Sequence, residues 1–278
     1  MMAHTIAEQL SLAGIELRRA RSDPRVAIIL MSAVVKKSIA EIWTHPERTI
    51  SAAQRKTFHQ LITRWLHDEP LAYLLGEWEF HGLKFFVSKD VLIPRPESEL
   101  IIDEAITLAP RGVQLIDLGT GSGCLAITMA VKRRDLHIQA FDPSAEALRI
   151  ARRNVARQRV GRRVALHAGT LTALAKHPLK KPWVLLANLP YLTTTEARAD
   201  ELQNEPREAL DGGTDGLDIF RTTLAVLGSL PLAPLLSLWE IDPRRTKQTV
   251  ALIKAALPNK HYDVLRDLAG RERVIRCF

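Results

Sequence analysis

The sequence predicts an α/β protein, a largely parallel sheet of seven strands with helices on both faces, behind a small all-helical N-terminal region. Three observations carry this. From Glu97 onward, short apolar runs alternate with helical patterns, the rhythm of a parallel sheet built from βα units. Before about residue 75, apolar positions recur three and four apart and Gly14 is the single glycine. Between these lies Glu77–Val87, which alternates with period two around His81-Gly82 and reads as a β-hairpin.

Taken in order, Ile6–Leu10, Ile15–Ala20 and Val26–Val35 have helical spacing, with Ser22-Asp23-Pro24 marking a helix start. Thr49-Ile-Ser-Ala-Ala-Gln54 opens another helix through Phe58, Leu61, Ile62, Trp65 and Leu66. After the hairpin, Ile93-Pro-Arg-Pro96 is extended, because each proline disfavours helix in its predecessor, and it reads as a bridge between domains. Strands follow near 113–118, 137–142, 163–167, 183–188, 235–241, 261–266 and 272–277, with helices between most of them. The last two are joined by only Asp267–Arg271, too short for a parallel crossover, so they form an edge hairpin.

A chain of 278 residues suits two domains, and 46% hydrophobic with 25% charged residues is ordinary globular composition. No run reaches the roughly 18 apolar residues that span a bilayer. The first ten residues hold acid and amide groups where a signal peptide needs a basic end and an apolar core, so a cytoplasmic enzyme is expected. Cys124 and Cys277 make neither a disulfide framework nor a metal set, the nine histidines show no ligand spacing, and no metal is expected. The net charge of +8 is concentrated in Arg149–Arg163, seven arginines without an acid. That segment suits either a polyanion or an ordinary solvated helix face.

The chemistry begins at Leu115-Ile-Asp-Leu-Gly-Thr-Gly-Ser-Gly-Cys-Leu125, an apolar strand running into Gly119, Gly121 and Gly123 at a helix start. Such a turn brings backbone N–H groups close to a ligand. A dinucleotide turn reads G-x-G-x-x-G and cradles pyrophosphate. Here the spacing is Asp-x-Gly-x-Gly-x-Gly, and the early acid, Asp117, suits a ligand with an ammonium and no phosphate, such as S-adenosylmethionine. Asp142 ends the next strand, where an acid accepts hydrogen bonds from a ribose diol; strand, turn and acid recurring in that order favour this role over the plainer one of capping the helix beginning near Ser144. The fourth strand runs into Asn188-Leu-Pro-Tyr191, either a plain turn or a grip on a planar nitrogen. The lone pair of such a nitrogen is delocalised. The Asn188 side-chain oxygen and the Leu189 carbonyl would accept its N–H groups, Pro190 would stiffen the turn and Tyr191 would stack on the flat group.

Asp-Leu-Gly-Thr-Gly-Ser-Gly with Asp142 resembles class I (Rossmann-like) S-adenosylmethionine-dependent methyltransferases, and Asn-x-Pro-Tyr resembles those that methylate nitrogen. Pro70–Phe86, Val91–Glu99, Glu205–Asp218 and Asp267–Val274 narrow the resemblance to the peptide chain release factor glutamine methyltransferases (PrmC/HemK). It runs from about residue 70 to the C-terminus. It implies transfer of a methyl from S-adenosyl-L-methionine, leaving S-adenosyl-L-homocysteine, to the N5 side-chain amide of the glutamine in the Gly-Gly-Gln motif of class 1 release factors. By position it assigns cofactor binding to Gly119, Thr120, Gly121, Ser122, Gly123, Asp142, Leu171 and Asn188. Catalysis falls to Asn188, Pro190 and Tyr191, and substrate binding to Asn188, Leu189, Pro190 and Tyr191. The implied division is a helical substrate-recognition domain over 1–72, a β-hairpin linker over 73–96 and the methyltransferase domain over 97–278.

Three departures stand out. The family tetrapeptide is normally Asn-Pro-Pro-Tyr, and Leu189 makes it similar to that of ribosomal RNA adenine dimethyltransferases. Gly169-Thr170 lacks the usual adenine-pocket acid, and Trp183 stands where an Asp is expected. Leu189 and the arginines keep an adenine N6-methyltransferase of RNA or DNA as the alternative, although nucleic-acid binding is not required by the main reading.

Overall fold

A computed structural model describes residues 4–176, 179 and 182–278. The chain divides into two compact units, Met1–Gly76 and Glu77–Phe278. Among the described residues, no helix is long and apolar enough to cross a membrane.

The first unit is helical: α1 (Ile6–Arg19), α2 (Val26–Val35), α3 (Ile39–Thr44), α4 (Ala52–Trp65) and α5 (Leu71–Leu75). Three of these starts are set by reciprocal capping boxes, Thr5 with Glu8, Ser38 with Glu41 and Ser51 with Gln54. Each box satisfies two N–H groups that the helix itself cannot. Leu17, Leu30, Met31, Phe58 and Ile62 fill the core.

The second unit opens with β1 (Glu77–Phe80) and β2 (Leu83–Phe86), paired antiparallel. His81 and Gly82 both take positive φ, 49° and 74°, as a two-residue hairpin turn requires. There follow α6 (Glu99–Leu108), β3 (Gln114–Leu118), α7 (Cys124–Lys132), β4 (His137–Asp142), α8 (Ala145–Arg157), β5 (Val164–Ala168) and β6 (Trp183–Ala187). The chain ends with α9 (Asp218–Ser229), β7 (Leu236–Glu240), α10 (Thr246–Ala256), β8 (Tyr262–Arg266) and β9 (Glu272–Cys277). The seven-stranded sheet has the order β5-β4-β3-β6-β7-β9-β8. Its first five strands are parallel, and the β8–β9 hairpin closes one edge with β9 antiparallel to β7. Apolar clusters line both faces. Chain direction across the sheet reverses between β3 and β6, so their carboxyl ends open a crevice.

The hairpin and the segment after it lie inside this second unit. Phe80 and Phe85 are wholly buried in its core. The Asn154 amide, on α8, accepts from the Phe86 N–H at 2.7 Å and donates to the carbonyls of Phe86 and Ser122 at 3.0 and 2.8 Å. Ile93-Pro-Arg-Pro96, read from sequence as a bridge, is instead pinned within the unit at Glu205: the Ile93 N–H donates at 3.1 Å and Arg95 forms an ion pair with the same carboxylate. The arginine-rich segment finds its acids on the same side. Arg149 pairs with Asp90 at 2.6 Å and Arg157 with Glu77 at 3.0 Å. Arg153 stacks over the Phe86 ring at 3.6 Å, and the Arg163 guanidinium donates to the Ala130 carbonyl.

Candidate active site

At the end of β3, Asp117 is completely buried. Its Oδ2 accepts from the Thr120 hydroxyl at 2.6 Å and from the Ala126 N–H at 3.2 Å, locking the glycine turn to the first turn of α7. The sequence reading placed this acid toward a ligand ammonium. The structure corrects that, because the side chain faces inward and lines no part of the crevice. Burial lifts its carboxyl from the ordinary value of 3.8 to about 7. A group held more protonated in the folded state contributes most at low pH, so its contribution falls as pH rises from about 4 through about 7. We expect Asp117→Asn to lose that decline. Urea denaturation at acidic and mildly alkaline pH should show variant and wild type diverging, with the variant gaining relative stability as pH rises. Parallel pH profiles would contradict the buried-acid assignment.

Gly119, Gly121 and Gly123 take φ of 67°, 54° and 83°, which a side chain would strain. The N–H groups of Gly119 and Thr120 donate to the Phe141 carbonyl at 2.9 and 3.0 Å, tying the turn to β4. One residue on, the Asp142 carboxylate accepts from the Gly121 N–H at 2.8 Å and the Ser144 N–H at 2.9 Å. Burial raises its pKa, and these two N–H donors oppose the rise. Ser144, not Asp142, caps α8, its hydroxyl accepting from the Ala147 N–H.

The crevice brings together Gly119, Gly121, Asp142, Leu171, Asn188, Leu189 and Pro190 from the sequence-derived set. The structure adds Asp90, Thr170 and Glu208. Thr120, Ser122 and Gly123 do not line it. The Thr120 hydroxyl is turned onto Asp117, Ser122 is buried with its carbonyl on Asn154, and Gly123 is the N-cap of α7. The electrostatics choose the ligand class. Among the described residues the lining has three carboxylates, Asp90, Asp142 and Glu208, and no lysine or arginine, in a chain of net charge +8. Asp90 is paired with Arg149 at 2.6 Å, which leaves Asp142 and Glu208 as the lining acids without an ion-pair partner among the described residues. A phosphate would be repelled there and a cation attracted. The open cradle fits a ligand approaching the backbone: a Cβ built on Gly121 would meet nothing within 4 Å, and one on Gly119 would sit 3.4 Å from the Asn188 carbonyl.

Asn188 follows β6 directly. Its Nδ2 donates to the Ser98 hydroxyl at 3.0 Å, and Ser98 donates in turn to Oε2 of Glu240 at the end of β7. The Tyr191 hydroxyl donates to Oε1 of the same carboxylate at 3.1 Å. Glu240 is 1% exposed; burial raises its pKa while Ser98, Tyr191 and Arg273 pull it down. Tyr191 is tethered to Glu240 by its hydroxyl and does not line the crevice, and burial beside Glu240 pushes its phenol up. Leu189 packs into the apolar cluster with Leu118 and Leu217, so the side chain replacing proline is held by burial. No described residue donates to Asn188 Oδ1 or to the Leu189 carbonyl. The glycines of Leu210–Gly216 are there for close approach. A Cβ on Gly212 would sit 2.6 Å from the Pro190 carbonyl, and one on Gly216 closer still to that of Tyr191.

Sequence reasoning missed Ser98, Glu240 and Glu208 as members of the site. For Glu240 a signal existed: Leu236-Ser-Leu-Trp-Glu240 is a buried strand ending in an acid, as β4 does in Asp142, and β3 carries Asp117 one residue before its end.

Family models match the chain in two places, the PrmC N-terminal domain over residues 8–76 and the methyltransferase small domain over 98–205. The release factor glutamine methyltransferase of Coxiella burnetii is 33% identical over 263 residues, covering 94% of each chain. That of Koribacter versatilis is 39% identical over 189 residues, 66% of each chain, and that of Bacillus anthracis 28% over 278 residues, 97% of this chain and 98% of its own. Among solved structures, the human Mettl16 catalytic domain in complex with the MAT2A 3'UTR hairpin 6 has a TM-score of 0.53 at 15% identity, over 70% of this chain and 75% of that one. The N-terminal domain of human METTL16 in complex with SAH scores 0.52, also at 15% identity over the same shares. At that identity the likeness is one of fold.

Proposed function

This chain belongs to the release factor glutamine methyltransferases, and from that premise we propose that it transfers the methyl group of S-adenosyl-L-methionine to N5 of the glutamine in the Gly-Gly-Gln motif of class 1 peptide chain release factors. The cofactor supplies an electrophilic methyl on a sulfonium, a cation that suits the acid-lined crevice. Gly119 and Gly121 let backbone approach its methionine part, Asp142 accepts from its ribose hydroxyls, and Thr170 and Leu171 lie where its adenine would rest. Each Asp142 oxygen already accepts one backbone N–H and retains further lone-pair capacity.

One observation carries the acceptor chemistry: Asn188 Nδ2 is committed to Ser98, which leaves Oδ1 for an incoming N–H. A glutamine amide bound with one N–H on Oδ1 and the other on the Leu189 carbonyl would have its nitrogen held still and its electron density directed back onto nitrogen. These acceptors act more strongly as positive charge develops there. The proton leaves easily once nitrogen is methylated, so no general base is required. The adenine N6 reading rested on Leu189 and the arginines. Leu189 is a packing residue here and Arg149, Arg153, Arg157 and Arg163 are engaged within the unit. Offering purified protein and labelled S-adenosylmethionine both a release factor and ribosomal RNA tests the choice; label in the protein is expected, and label in the RNA would reverse it.

We assign partner recognition to the helical unit. It exposes Trp43 by 68% with Ile39 one turn before it on α3, and Leu12 and Ile15 on α1. A small Gly-Gly-Gln loop offers little surface, whereas a stable protein interface needs roughly 800 Å² per partner. A chain beginning at Glu77 retains both apolar clusters of the second unit. It should bind S-adenosylmethionine like the full chain but methylate release factor with a much lower kcat/KM. Full activity on intact release factor would leave the helical unit a stability element.

A further inference from the structure

We propose that Ser98 and Glu240 are positioning residues that decide which end of the Asn188 amide faces the substrate. The two ends of a carboxamide are nearly isosteric, so packing alone selects between them weakly. Chemistry selects strongly, because a glutamine N–H needs an oxygen opposite it and the wrong orientation sets donor against donor. The polarity is set from Glu240. Its two oxygens accept, Oε2 from Ser98 and Oε1 from Tyr191. A serine hydroxyl has one proton. With that proton spent on Glu240, Ser98 can offer Asn188 only a lone pair, which Nδ2 meets at 3.0 Å. Oδ1 is thereby turned to the crevice. The three residues lie at the start of α6, after β6 and at the end of β7, and Ser98 and Glu240 are each at most 1% exposed, which keeps water from offering an alternative partner.

This inference rests on Asn188 accepting from the substrate amide, a reading checked separately by the Asn188→Ala single variant, which should lose transfer and keep most of its cofactor affinity. The test is a cycle of Ser98→Ala and Asn188→Ala, with Ser98→Thr as the hydroxyl-preserving variant. Single-turnover methylation and calorimetric S-adenosylmethionine affinity are measured on each folded protein. Ser98→Ala should slow transfer about tenfold, the scale of one lost hydrogen bond to a polar group, with cofactor Kd unchanged. Ser98→Thr should restore most of the rate. In the Asn188→Ala background, Ser98→Ala should cost almost nothing further, because there is no amide left to orient. An unchanged rate in Ser98→Ala, an equal loss in Ser98→Thr, or the same tenfold loss without Asn188 would each overturn the proposal, the last by showing that Ser98 only holds the Pro96–Ser98 turn against the sheet.

Discussion

Asn188→Ala is expected to lower the rate of methyl transfer by about 10²–10³, the measured scale for removing one hydrogen-bonding group aimed at charge developing in a transition state. The effect should fall on kcat. On the proposed reading Asn188 meets the substrate with Oδ1, whereas its carbonyl lies against the glycine turn and survives the substitution. Affinity for S-adenosylmethionine should therefore fall only modestly. Stability should change little, because the site loses a partly exposed amide and Ser98 keeps its bond to Glu240. Equal losses in cofactor binding and turnover would mean that Asn188 serves the architecture of the turn alone.

Asp142→Asn should produce the complementary effect. One oxygen is retained to hold a backbone N–H, so the turn at Gly121 and the start of α8 are less disturbed than with alanine. The charge and one acceptor are lost, and a hydrogen bond to a charged group is worth about 1.5–3 kcal/mol. S-adenosylmethionine should bind about 10- to 150-fold more weakly by calorimetry. Binding of release factor, measured without cofactor, should be unaffected. Unaltered cofactor affinity would reduce Asp142 to a brace between the glycine turn and Ser144.

The sheet was legible in the sequence because parallel strands buried on both faces read as short apolar runs, and all seven lie within a residue or so of their expected bounds. The six-residue α3 and five-residue α5 were not anticipated, since neither is long enough to show a period. Even so, Ser38-Ile-Ala-Glu41 carried a capping box that could have marked the first of them. The glycine turn was legible as a ligand cradle, but alternate glycines do not say which intervening side chains face in. Thr120 went to Asp117 because a buried carboxylate needs a donor nearby. The arginines of α8 looked unpartnered because their acids, Glu77 and Asp90, lie far away in sequence on and after the hairpin. The same distance hid the contact of Ser98 with Glu240, 142 residues apart. Local pattern cannot report pairings that only the completed sheet creates.

The central claim is that the acceptor is one amide nitrogen of one glutamine. It is tested most directly by incubating the protein with S-adenosylmethionine and an intact class 1 release factor, then locating the methyl by fragment-ion mass spectrometry. A single methyl on the side chain of the Gly-Gly-Gln glutamine is predicted, absent when that glutamine is replaced by alanine. Methylation of any other residue, or undiminished labelling of the glutamine-to-alanine release factor, would contradict the account.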